Sequence, residues 1–360
     1  MRTVQGASVW GNVMDTQAVT LPGYEFLSAP WWLITTLHIV TLTLHFAAMN
    51  FLFGGLIVLL AGRFEGGWRH PVVSRYVTLL PSAMAATITL GVAPLLFTQL
   101  VYHRQVYSAA IISAWFWLGI LALAVVAYYL FYAASFAPAE GGKRARLLVP
   151  AVVVLLAISF LYSSVFSLAE RPDAMKTIYA ANQSGWVLNP HFGDYSVRWL
   201  LMVLGAVAVG GFCVGVVGRD NDEAFEVGRR FFTYSVIGAS VLGVFYLGTL
   251  GEQVGPFMRG WGIRAVTIGL VLTLASLWLF SSRRLVASGV LLFVSLGSMV
   301  FARHELRLLR LGPVPSPAVE NLEPQWSIFA VFLVCFVLML AVLAYMLRSF
   351  FSSGQSAETP

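Results

Sequence analysis

Leu33–Leu60, LITTLHIVTLTLHFAAMNFLFGGLIVLL, is the stretch that decides the fold. It runs 28 residues without a formal charge. About 20 apolar residues in a helix cross a bilayer core, so this segment is long enough to span with tilt. Two imidazoles interrupt it, His38 and His45. Their seven-residue spacing is two helical turns, which stacks them on one face. An ionisable group in hydrocarbon is costly and by default marks function. This helix therefore reads as a functional wall around which the chain is arranged.

Working outward, the composition agrees. The chain has 360 residues, 59% of them hydrophobic and 11% charged, with a mean hydropathy of +0.81. That excludes an ordinary soluble domain. Long unbroken apolar runs point to helices, which satisfy their own backbone in lipid; a transmembrane barrel would alternate polar and apolar residues. The expected fold is an all-α integral membrane bundle formed as a single polytopic domain over 1–360. Nine apolar runs lie near 31–61, 76–101, 108–136, 147–168, 197–217, 231–250, 263–281, 285–302 and 326–347. The count falls to eight if one of the closely joined seventh and eighth runs is re-entrant.

The amino-terminal MRTVQGASVWGNVMDTQ has no basic stretch followed by an apolar core, so no cleaved signal peptide is expected. The net charge of +6 belongs to short loops and does not signal nucleic-acid binding. Twelve of the 22 Lys and Arg residues fall on one set of connections. Four on the other set, Arg198, Arg264, Arg303 and Arg307, sit at helix ends rather than in loops. Discounting these four, the positive-inside rule places the amino terminus outside and the carboxy terminus in the cytoplasm of a bacterial-type inner membrane. Trp31, Trp32, Tyr102, Tyr107, Trp186, Tyr195, Trp199, Trp261 and Trp326 then gather on the outer side as an interfacial belt. The outer connections 169–196 and 303–325 are the longest, the latter carrying a stiff PVPSP.

Cys213 and Cys335 lie inside apolar runs, and there is no CxxCH. The chain thus carries no covalent c-type haem, and any tetrapyrrole must be held by non-covalent ligands. Of six histidines, His70 reads as solvated in a basic loop, His191 as a surface or capping residue, and His103 as interfacial. His38, His45 and His304 stand apart. His304 closes MVFARHELRLLR, where Arg303, Glu305, Arg307 and Arg310 crowd a helix end. Imidazole ligates haem iron and arginine pairs with propionates, but a proton relay uses the same residue types. The residues leave both readings open.

The order of features resembles subunit I of the cytochrome bd oxidases. The resemblance rests on Asn189-Pro190, Gly210-Gly211-Phe212, Gly218-Arg219-Asp220 and Leu250-Gly251-Glu252. It continues in His45 followed nine residues later by Gly54, Gly91-Val92-Ala93, Gly262-Ile263-Arg264, and FARHELR over 301–307. It implies that His45 is an axial ligand of a high-spin haem. His304 stands where the family has a ligating glutamate. Arg264 and Arg307 would meet propionates, while Gln99 and Glu252 would line the cofactor region.

Departures limit it. Leu201 and Val266 occupy the family's low-spin ligand positions, and only Gly251–Gly262 stands where the family has its long quinol loop. His38 has no family counterpart and is the next candidate metal ligand. The implied function is a haem-b membrane subunit of a bd-like respiratory oxidoreductase. It carries one or more non-covalent haems and passes electrons between a cytochrome c-type partner on the outer face, or quinol, and a terminal acceptor such as O2. A second membrane subunit is a further expected partner, beside the lipid bilayer itself. The rival reading is a haem-free anchor that docks a redox subunit and interacts with quinol. A proton-coupled transporter would want mid-membrane acids, which the spans barely offer.

Overall fold

The computed structural model describes residues 30–311 and 326–355. Among these the chain is entirely helical: α1 (Trp31–Ala61), α2 (Pro71–Val101), α3 (His103–Ile112), α4 (Ala114–Phe136), α5 (Lys143–Ala169), α6 (Pro172–Ala181), α7 (Phe192–Val217), α8 (Asp222–Gly248), α9 (Val254–Arg259), α10 (Trp261–Ser281), α11 (Leu285–Leu311) and α12 (Trp326–Gln355). Eight of them, α1, α2, α4, α5, α7, α8, α10 and α11, are long and apolar enough to cross a membrane. The protein is an all-α, multi-pass membrane bundle. The seventh and eighth apolar runs are two full helices, and neither is re-entrant. The ninth forms α12, whose described apolar part is Trp326–Met339. The amino-terminal stretch and the PVPSP loop lie outside the described residues.

Two units emerge from the contacts: residues 35–314, which hold the bundle, and 1–34 with 315–360, which hold α12.

Helix boundaries follow local chemistry. The third apolar run breaks at Ser113, giving short α3 before α4; the Ser113 hydroxyl donates to the Val187 carbonyl at 2.6 Å. The second run starts earlier than its apolar residues suggest, because His70 caps α2. Its Nδ1 accepts from the Val72 amide at 3.2 Å, with Pro71 at the first helical position. Proline there sacrifices no intrahelical bond. The expectation of a solvated His70 is therefore corrected: it is buried, and its Nε2 lies 3.6 Å from Glu223.

Small residues set the crossings, as lipid offers no hydrophobic force between helices. A Cβ on Gly54 would meet the Ala206 carbonyl oxygen at 1.7 Å, and one on Gly210 would meet the Gly54 carbonyl carbon at 2.1 Å. Backbones of α1 and α7 thus touch where the sequence carries glycine. Gly211 and Gly228 do the same for α7 and α8. The α10–α11 pair is joined by hydroxyls. Ser276 donates to the Ser288 carbonyl at 2.9 Å, Ser288 donates to that of Ser276 at 2.8 Å, and Ser295 donates to that of Gly269 at 2.7 Å.

Candidate functional site

His38 and His45 both face α2, but they meet different surroundings there. The His45 Nδ1 lies 3.0 Å from the Thr87 carbonyl. A carbonyl can only accept, so Nδ1 carries the proton and Nε2 keeps the lone pair. Gly91 makes room for the ring: a Cβ there would sit 2.9 Å from His45 Cε1. No charged residue acts on His45.

One two-turn step along α1, the Pro94 carbonyl faces His38, and His304 and Arg307 of α11 act on it electrostatically. Both His38 and His304 are buried, and the Nδ1 of each is buried without a hydrogen-bond partner. Orphaned buried nitrogens cost free energy and call for an explanation. The structure brings His304 close enough to His38 for the two to interact.

Beyond this pair, at the end of the bundle where α5, α8 and α11 finish and α7 begins, lies a group the sequence reading missed. Glu170 caps α5 and is 5% exposed. Four arginines converge on its carboxylate. Arg310 Nη1 donates at 2.7 Å, Arg303 Nη2 is hydrogen-bonded to it, Arg307 Nε lies at 3.5 Å and Arg198 Nη1 at 3.6 Å. Burial by itself pushes the Glu170 carboxyl up. The guanidiniums of Arg303, Arg198, Arg307 and Arg310 outweigh it and hold the carboxyl well below the usual carboxylate range. Arg307 also lies 5.3 Å over the Tyr102 ring. A lone glutamate at a helix end carries no sequence pattern. The available signal was the odd placement of Arg198, Arg303 and Arg307 at helix ends, which demanded a counter-charge.

The remaining predicted residues scatter. Arg264 is exposed and stacks 4.6 Å over Trp261, at an apolar cavity of about 410 Å3 between α1, α10 and α11 that neither His38 nor His304 lines. Gln99 is half-buried on α2, and Glu252 is exposed on the turn Gly251–Gln253. The Asn189-Pro190 step anchors the 182–191 loop: the Asn189 amide donates to Ser164 Oγ at 3.0 Å and its Oδ1 accepts from the His191 amide at 3.0 Å. Among the described residues no three His, Cys, Asp or Glu side chains gather as a metal site.

A non-covalent haem requires an imidazole with an available ring nitrogen and cations near its carboxylates. On the orphaned nitrogens of His38 and His304 and the adjacent Arg307, the donor set fits that need. His45, with Nδ1–H fixed on a carbonyl, has the outer-shell arrangement common to metal-ligating histidines.

No protein-family model, curated protein or solved structure matches this chain. What the fold and site define directly is the class: an all-helical, multi-pass membrane protein with buried imidazoles beside an arginine-rich bundle end.

Proposed function

We propose that the chain is a haem-b-binding membrane subunit of a respiratory electron-transfer complex, in the manner of the bd-type subunit it resembles. The observation that carries this reading is the pair of buried imidazoles, His38 on α1 and His304 on α11, each with a buried Nδ1 that has no hydrogen-bond partner among the described residues. His45 places its Nδ1 on the Thr87 carbonyl; the Nδ1 atoms of His38 and His304 have no such partner among the described residues, although the Pro94 carbonyl also meets His38.

In this reading His38 and His304 hold the iron, and Arg307 supplies positive charge for a propionate. A b-type haem bound there would supply a one-electron couple. His45 is a separate, tautomer-fixed imidazole further along the same helix face, available for a second group. Leu201, Val266 and the short Gly251–Gly262 connection argue against the usual quinol entry. They favour a cytochrome c-type donor or acceptor on the face that bears the arginines. Gln99 in place of an acid removes one route for delivering protons, which makes electron transfer the better supported role than O2 reduction. Localisation to a bacterial-type inner membrane with the amino terminus outside belongs to the same proposal, resting on the Lys and Arg distribution.

The test is a pyridine haemochrome and a reduced-minus-oxidised spectrum of the purified chain, recorded with and without carbon monoxide. A b-type signal is expected. A preparation that is folded yet free of haem after expression with haem supplied would overturn the proposal.

A further inference from the structure

The Glu170 cluster is unbalanced. Among the described residues, four guanidiniums around one carboxylate leave a surplus of three positive charges at a place where every side chain is mostly buried: 2% exposed for Glu170, 8% for Arg198, 10% for Arg307, 16% for Arg310 and 22% for Arg303. Glu305, next along α11, makes no ion pair among the described residues. Uncompensated charge in such surroundings is strongly unfavourable. Several donors here are also unused. Arg198 is 6% exposed, donates through Nη2 to the Ser163 carbonyl, and has Nε buried without a partner. Arg303 Nη1 and the Tyr246 hydroxyl are likewise buried and unpaired, and Tyr246 acts electrostatically on both arginines. Unused donors and surplus charge come from three helices and converge on one spot.

We propose that Arg198, Arg303 and Arg310, with the Tyr246 hydroxyl, form a binding site for one doubly charged oxyanion of the phosphate class, alongside the Glu170 carboxylate. With Arg307 left to the imidazole pair, three guanidiniums and one carboxylate retain two positive charges, which a phosphate dianion neutralises. Guanidinium forks match tetrahedral oxyanions in charge-assisted, two-pronged hydrogen bonds. The partly exposed Arg303 and Arg310 mark the side of entry. Two sources carry this chemistry at a bundle end: free phosphate and the head group of an anionic phospholipid. The site does not depend on haem, since neither histidine takes part.

The experiment uses the full chain, purified in a phosphate-free, non-phospholipid detergent. Retained phosphorus is counted before and after organic extraction, and binding of inorganic phosphate is then measured by equilibrium dialysis at fixed ionic strength. One phosphate bound per chain supports a free-anion site; one extractable phospholipid per chain, retained through washing, supports the lipid source. Losing one charged donor is expected to weaken binding by at least about tenfold in Arg198→Gln and in Arg303→Gln. Glu170→Gln removes the competing negative charge and is expected to strengthen it. A purely structural ion-pair network would not show that opposite sign. No stoichiometric phosphorus in either arm, or equal binding in wild type and both arginine variants, overturns the site.

Discussion

The two histidines of α1 sit on one face, two turns apart, and yet they are in opposite states. His45 is closed: Nδ1 on the Thr87 carbonyl, ring against Gly91, no charge acting on it. His38 is open on one side: the Pro94 carbonyl meets its ring, but its buried Nδ1 has no partner among the described residues, and His304 and Arg307 act on it. In lipid a polar atom that finds a backbone carbonyl can be mere structure, while a buried atom left without a partner calls for an explanation. Sequence spacing treats the two alike; only their neighbours on α2 and α11 separate them.

Substitutions at either end of this helix face separate the two states. The largest effect is expected at the charged end that distinguishes the His38 region. Glu170→Ala leaves four arginines around no counter-charge and should destabilise the protein by about 3–5 kcal/mol, read as a loss of thermal stability in detergent. The pH dependence follows from the same group. Its carboxyl is held below the usual range in the folded state, so its contribution is complete above the ordinary carboxylate value. That contribution is lost progressively as pH falls from the ordinary carboxylate value towards the depressed folded value. Wild-type stability should accordingly decline once pH falls below the ordinary carboxylate range, and Glu170→Ala should lack that part of the decline.

On the closed side, Gly91→Ala forces a methyl against the His45 ring and should cost about 1–3 kcal/mol by overpacking. A melt unchanged from wild type would mean that His45 is not packed as described. The smallest effects test the asymmetry itself, in haem-free protein. His45→Ala loses the bond to the Thr87 carbonyl and should cost about 1 kcal/mol, whereas His38→Ala also relieves a buried nitrogen without a partner and should cost less. Equal costs for the two would erase the distinction.

Much of the bundle was legible beforehand because lipid imposes a simple rule: long charge-free runs become helices. Thus α1 was read to its last residue, and α10 and α11 were separable despite their short joint. What escaped was set by single side chains against distant backbone. His70 looked like a loop histidine but caps α2, since a cap depends on the following helix being present. The break at Ser113 depends on the Val187 carbonyl from a loop 74 residues away. At the site, the arginines at helix ends were visible as misfits, but Glu170 was not, because nothing local distinguishes a buried carboxylate from a surface one. The pairing of His304 was set by how α11 lies against α1, which spacing within one helix does not encode. Gly54 and Gly210 were noticed as parts of a resemblance; their physical reason is the contact of two backbones.

The central claim is that His38 and His304 form one ligand pair and that His45 stands apart from it. Reduced-minus-oxidised spectra of wild type, His38→Ala, His45→Ala and His304→Ala, normalised to protein, test it most directly. The same b-type component should vanish in His38→Ala and His304→Ala and survive in His45→Ala. A component that survives both of the first two, or that His45→Ala and His304→Ala remove together while His38→Ala leaves it, would contradict the account.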